Sequence, residues 1–392
     1  MGTRWPGKTV IGLTGNIATG KSIVRRMLEH LGAFSIDADG LAHRAMSPGA
    51  PAFKPIVDTF GRWILGADGQ IDREKLGNIV FTDPEALRQL EAITHPLISQ
   101  VIDLLIKRAG QKVVVIEAIK LYESGLADSC DSTWVVDAPK DVQVRRLVEQ
   151  RKLSETAAKL RVEAQDSQAD KLARAKVIIN NGGGYESTWD QVQRQWDAIV
   201  GVPEKAPAPA AQPAAVATAA QTAPTVPTGA VAIEIQRGGP KQAEQIASFI
   251  NKNQGSSLSR MDILQRFGQK AYLLAMAGDQ LVGVAGWQVE NLIARTDDLI
   301  VNGGPTEEKA IKELVANLEK SSNELQAEIS MIFLKNGTPD TVRRAVLVSG
   351  YEQQTAADFR IPDWREAAEE SQPQDTYMVV KRLRADRVLK PL

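Results

Sequence analysis

The stretch Thr9-Val10-Ile11-Gly12-Leu13-Thr14-Gly15-Asn16-Ile17-Ala18-Thr19-Gly20-Lys21-Ser22-Ile23-Val24 decides the reading of the chain. Its first six residues are an apolar, β-branched run that predicts a short buried strand. Gly15 to Ser22 matches G-x-x-x-x-G-K-[ST] at every fixed position. Lys21 to Leu31 carries the spacing of an amphipathic helix. A glycine-rich loop between strand and helix turns successive backbone N–H groups toward a phosphate, and the helix N-terminus adds its positive dipole end. Gly15, Asn16, Ile17, Ala18, Thr19, Gly20, Lys21, Ser22 and the adjoining Ile23 are therefore the expected nucleotide-binding set. Lys21 suits the β- and γ-phosphates, and the Ser22 hydroxyl suits Mg²⁺. The loop alone names the nucleotide and leaves the second substrate open.

Strand and helix patterns alternate from there. Ala33–Ile36, Lys112–Ile116, Ser132–Val136 and Ala175–Ile179 read as further buried strands, and residues 73–81 and 84–107 as helices. β-branched runs separated by helices predict an α/β unit with a parallel sheet and helices on both faces. Residues 203–227 then hold six of the 19 prolines, and residues 206–230 hold neither charge nor aromatic ring. Such a segment buries too little apolar surface to fold, so 203–229 reads as a linker. It divides the 392 residues into units at 1–202 and 230–392. In the second unit, two apolar runs flank Gly278-Asp279, a hairpin signal. Helices are expected at Pro240–Asn253, Glu307–Ser321 and Thr338–Ser349. Strands are expected at Val231–Gln236, Leu292–Val301, Glu328–Leu334 and Gln374–Leu383. The expected class is α+β with an antiparallel sheet.

Composition excludes several functions. The net charge is -1, from 47 Lys+Arg against 48 Asp+Glu. That balance gives no electrostatic case for nucleic acid or an anionic membrane. No signal peptide or membrane-spanning run is expected, and the one cysteine, Cys130, rules out an intrachain disulfide. These features predict a cytoplasmic protein with a buried, inert Cys130.

Further motifs follow the loop in order: Ile36-Asp37-Ala38-Asp39, Asp68-Gly69-Gln70-Ile71-Asp72-Arg73, Leu90-Glu91-Ala92-Ile93-Thr94-His95-Pro96, and Val177-Ile178-Ile179-Asn180-Asn181-Gly182. Between the last two lie Gln143, Arg146, Arg151, Ser154, Arg161, Gln165 and Lys171. With these, residues 9–200 resemble dephospho-coenzyme A kinase. The resemblance implies a P-loop kinase fold with a helical acceptor side at residues 73–107 and a lid at about 140–165. It implies transfer of the γ-phosphoryl of ATP, with Mg²⁺, to the ribose 3′-hydroxyl of dephospho-CoA.

Asp39, just past the second strand, is the expected base, because carboxylates past the C-terminal ends of parallel strands face the ligand crevice. Asp37 is expected to cap the next helix, with a direct role as the lesser reading. Arg151 and Arg146 are the leading lid cations, with Arg161 on the acceptor side and Arg145 weakest. Asn181 and Gly182 are placed near the adenine. His95 is read as acceptor-side, or as a structural histidine at a helix start. Where the family has Asp-x-Pro-Leu-Leu-Phe-Glu, this chain has Glu117-Ala118-Ile119-Lys120-Leu121-Tyr122-Glu123. Glu117 is the remaining candidate to hold Mg²⁺ with Ser22. Another small-molecule P-loop kinase is the alternative reading, and a nucleotide-binding regulator that transfers nothing is a third.

The second unit resembles a GNAT-type acyltransferase in element order. The family's [QR]-x-x-G-x-[GA] signature is not met by Val301-Asn302-Gly303-Gly304-Pro305-Thr306, and Pro305 removes a donor. Two roles are weighed: a non-catalytic module that binds coenzyme A or a partner or supports the kinase, and a transferase with an acyl-CoA ligand.

Overall fold

The computed structural model describes residues 4–165, 167–201 and 232–385, with only the backbone of Gln150. The proline-rich linker at 203–229 lies outside the described residues.

Five strands make the first sheet: β1 (Thr9–Thr14), β2 (Phe34–Asp37), β3 (Val113–Glu117), β4 (Ser132–Asp137) and β5 (Val177–Asn180). Their order is β2-β3-β1-β4-β5, and every pair is parallel. The connecting helices are α1 (Lys21–Leu31), α2 (Ala38–Ala45), α3 (Phe53–Phe60), α4 (Arg73–Val80), α5 (Pro84–Arg108), α6 (Lys140–Arg151), α7 (Glu155–Glu163), α8 (Gln168–Arg174) and α9 (Tyr185–Val200). Side-chain alternation along the strands supplies two cores. Val10, Phe34, Ile36, Val114 and Ile116 pack beneath α2 and α5. Ile11, Leu13, Val113 and Val115 pack against Val24, Met27 and Leu28 of α1 and Val192 of α9. Gly32, at φ +114, ends α1 by donating its amide to Leu28 O and Glu29 O.

His95 does not start a helix. His95-Pro96 lies inside the 25-residue α5, whose start is set by Asp83 accepting from Glu85 N, with Pro84 at the first position. Cys130 is half-buried and free, and burial pushes its thiol up to about 12, in keeping with an inert group.

The second sheet comprises β6 (Ile233–Gly238), β7 (Ala271–Ala277), β8 (Gln280–Glu290), β9 (Ile293–Val301), β10 (Ile329–Lys335), β11 (Glu352–Gln354) and β12 (Thr376–Arg382). Its order is β11-β12-β10-β9-β8-β7-β6. The sheet is mixed, which corrects the antiparallel expectation. β9 and β10 pair in parallel, because α12 (Glu307–Glu324) carries the chain back to the starting end of β9. That parallel ladder runs from Ile293↔Ile329 to Thr296↔Ile332 and stops there, although both strands continue. Helices α10 (Ala243–Gln254), α11 (Arg260–Arg266), α13 (Asp340–Val348) and α14 (Pro362–Ser371) complete this half. Among the described residues, no helix is long and apolar enough to cross a membrane.

The expected hairpin at Gly278-Asp279 forms, with Gly278 at φ +59. A second tight turn, at Asn291-Leu292, joins β8 to β9. Leu292 is thus a turn residue rather than the first residue of a strand. Both turn residues have positive φ, +54 and +63, as a type I′ turn requires. Leucine in that conformation costs roughly 1–2 kcal/mol. Its side chain is buried in the core of the first half with Leu41, Ile102, Leu105 and Ile106. Burying a leucine returns about 1.5–3 kcal/mol, enough to offset the strain.

The two halves meet along α1, α2 and the end of α5. Gln326 donates to Leu105 O at 3.0 Å, and Gln111 to Glu324 O at 3.1 Å. Arg237 donates to Glu29 O and His30 O in the last turn of α1, where a cation is favoured.

Candidate active site

The C-terminal ends of β1, β2 and β3 converge. Register places Leu13 and Asp37 both opposite Glu117, so the loop after β1, the acids after β2 and the acid of β3 share one edge. This is where ligands bind in open parallel sheets.

The loop from Gly15 to Gly20 is held by close backbone approaches. A Cβ at Gly15 would fall 2.4 Å from Val136 O, and one at Gly20 would fall 2.0 Å from Asn181 Nδ2. Gly15 and Gly20 have φ of +148 and +96. Only glycine fits both demands. The Asn16 and Ile17 amides have side-chain partners. They donate to the side-chain oxygens of Gln168 and Gln165, at 2.7 and 2.8 Å. The expected lid helices already rest on the loop, because Leu147, Ala158 and Val162 pack with Ile17 and Ala18.

Lys21 is buried and donates to Gly15 O at 2.9 Å and Asn16 O at 3.2 Å. Desolvation lowers its pKa, opposed by the nearby carboxylates of Glu117 and Asp39. Ser22 Oγ lies 3.4 Å from Glu117 Oε1. The other oxygen of Glu117 pairs with Arg25 Nε at 2.7 Å. Burial raises the Glu117 pKa, and Arg25 opposes that shift. Arg25 also meets Glu29 at 3.0 Å, and Glu29 meets Arg26 at 3.1 Å. Sequence reading missed Arg25. Its signal was faint: a basic residue one turn beyond Lys21 and i,i+4 from Glu29.

Asp37 caps α2 by accepting from Gly40 N at 2.9 Å, the expected structural role. Asp39 lies in the first turn of α2, and its Oδ2 accepts from Ile119 N at 3.0 Å. Burial raises its pKa, and the Ile119 hydrogen bond opposes the rise. Ile119 occupies the place of the proline in the resembling family's segment, and a proline has no N–H to give. The carbonyl of Ile119 accepts from Thr14 Oγ1 and Lys171 Nζ, both at 3.0 Å. The divergent segment is therefore fixed through both backbone polar groups of one residue, Ile119.

Arg146 is half-buried and spans the loop and the end of the sheet. It donates to Ala18 O, Thr19 O and Asn181 O at 2.8–3.1 Å. Asn181 is buried, donates to Thr19 O at 2.8 Å and accepts from Thr188. A Cβ at Gly182 would meet Pro139 Cδ at 2.7 Å. Arg146 and Asn181 brace the loop from the far side. Arg151, Arg161 and Arg145 are exposed. Arg151 sits at the end of α6, near enough to Lys21 to act on its charge. His95 is half-buried in α5.

The family model for dephospho-CoA kinase matches residues 9–187. The dephospho-CoA kinase of Geobacter sulfurreducens is 45% identical over 190 residues, covering 48% of this chain and 96% of that protein. That of Geobacillus kaustophilus is 43% identical over 196 residues, covering 48% and 97%. The solved dephospho-CoA kinase from Campylobacter jejuni is 31% identical, with a TM-score of 0.37, and covers 49% of this chain and 97% of its own. The second half is matched by an acetyltransferase of the GNAT family from Staphylococcus aureus, 16% identical, TM-score 0.31, covering 39% and 100%. Loop, acids and matched span agree, and through its first half the chain belongs to the dephospho-CoA kinase family, a family of phosphotransferases.

Proposed function

We propose that the first half transfers the γ-phosphoryl of ATP to the ribose 3′-hydroxyl of dephospho-CoA. The observation that carries this reading is Asp39, held by Ile119 N–H on the same sheet edge as Lys21, Ser22 and Glu117. Phosphoryl transfer demands mostly positioning and charge stabilisation. Lys21 offsets charge on the transferring group, and the loop amides orient the phosphates. Asp39 accepts the proton of the attacking hydroxyl. Arg151, Arg161 and His95 are assigned to the lid and acceptor sides, and Arg146, Asn181 and Gly182 to the nucleotide side.

The Ser22 hydroxyl and Glu117 carboxylate are hard oxygen donors facing each other, which fits Mg²⁺. Among the described residues, no group of three or more His, Cys, Asp or Glu is placed to hold a metal. Mg²⁺ commonly completes its shell with water and substrate phosphate oxygens. When bound, the ion would neutralise charge on the β- and γ-phosphates. Arg25 keeps Glu117 oriented toward Ser22.

The acceptor is tested by ADP release from the full chain with dephospho-CoA, adenosine, pantetheine and shikimate in turn. Turnover on dephospho-CoA is expected. Turnover on another acceptor alone would contradict the assignment.

The Ile119 amide supplies a pH test. Asp39 works as a base only when ionised, so kcat falls as pH drops through its raised pKa. Ile119→Pro removes the one hydrogen bond that lowers that pKa. The acid limb of the kcat–pH profile should therefore move to higher pH. An unmoved limb would contradict Asp39 as the titrating group.

We read the chain as two units, 1–202 and 230–392, with the second a non-catalytic support or ligand module. Its turn in the first half's core favours support. The acyl-CoA reading draws on the loop after β9, where Gly304 has φ +125.

A further inference from the structure

The β8–β9 turn belongs to the second half and ends in the first. Leu292 enters the core that holds Ala38 and Leu41 of α2, either side of Asp39. Asn291 O accepts from Arg44 at the last turn of α2, at 2.6 Å. At the first turn, a Cβ on Gly40 would fall 2.9 Å from Asn291 Oδ1, so glycine there admits the tip. The helix that presents Asp39 is thus gripped at both ends by two adjacent residues.

A second line runs through α1. Arg26 donates to Val289 O at 3.0 Å and to Gln288 Oε1 at 3.3 Å. It also pairs with Glu29, which pairs with Arg25, which holds Glu117 beside Ser22. The strained backbone of Asn291 and Leu292 fits this arrangement. Asn-Gly would make the easier turn, but glycine has no side chain to send into the neighbouring core. Strain that persists because surrounding contacts over-determine it marks a functional constraint.

We propose that the end of β8 and the turn after it, residues 288–292, form a positioning element of the kinase site. It sets Asp39 through α2, and Glu117 through Arg26, Glu29 and Arg25. The second half would then be a fixed part of the kinase rather than a passenger. The proposal rests on the kinase reading given above.

The test is full-length Leu292→Gly, with Leu292→Met as the conservative partner. Glycine suits this turn, so the second sheet keeps its hairpin while the inserted side chain is lost. Amide hydrogen exchange in residues 38–45 should speed up about tenfold or more. A displaced base should lower kcat by about tenfold or more. KM for ATP should stay within about twofold, because the loop is braced from the other side by Arg146 and Asn181. Leu292→Met should stay near the parent in all three. Unchanged exchange in residues 38–45 would overturn the proposal. So would a parallel loss of ATP affinity, the sign of general loosening. If the parent fails to phosphorylate dephospho-CoA, the functional reading falls by itself. Exchange then decides the tip alone: faster exchange confined to residues 38–45 upholds its grip on α2, and unchanged exchange overturns it.

Discussion

Asp39→Asn is expected to lower kcat for phosphoryl transfer by about 10²–10⁴-fold, the usual worth of a positioned general base. The substitution is nearly isosteric. The Asn oxygen can still accept from Ile119 N–H, so α2 and the segment after β3 should hold their places. KM for ATP should change little, because Asp39 touches the loop only through charge. Initial-rate kinetics over both substrates check this. A large rise in ATP KM with kcat preserved would recast Asp39 as a binding residue. A variant with parent-like kcat would contradict Asp39 as the general base.

Lys21→Met should lower kcat/KM for ATP by about 10²–10³-fold, in the range of removing one preorganised charge-stabilising donor. Methionine replaces the length and apolar stem of lysine in a buried position. The loss should appear in both kcat and KM, because the ammonium meets the phosphates before and during transfer. Two loop carbonyls, Gly15 O and Asn16 O, also lose their donor. Circular dichroism matching the parent separates the chemical loss from a collapsed loop. Near-parent kinetics would contradict the role given to Lys21.

Local pattern carried much of the fold. The phosphate loop was legible because its glycines, Lys21 and Ser22 are contiguous and answer to one mechanism. Asp37 and Asp39 were legible because a strand end points to a crevice. Residues that act over long separation left weaker traces. Arg25 reaches Glu117 across 92 positions (117 − 25), and nothing local announces that pair. His95-Pro96 suggested a helix start as one reading of His95, but the helix expected over 84–107 runs through it from Pro84, capped by Asp83. The β9–β10 pair was expected to be antiparallel like the rest of the sheet, because the crossover through α12 that makes the two strands parallel leaves no mark on strand composition. Asn291-Leu292 hid its turn. A type I′ turn announces itself through glycine, and here leucine is kept for a contact in the other half of the chain. Helices α3, α11 and α14 were passed over as well, the first two being only 8 and 7 residues long. Those spans give few turns from which to read a period.

The product of the full-length enzyme tests the central claim most directly. Phosphorus NMR of the reaction of ATP with dephospho-CoA should show ADP and one new phosphomonoester. Its signal should couple to the ribose 3′ proton. A phosphomonoester at any other hydroxyl, or ADP with inorganic phosphate and unmodified dephospho-CoA, would contradict it.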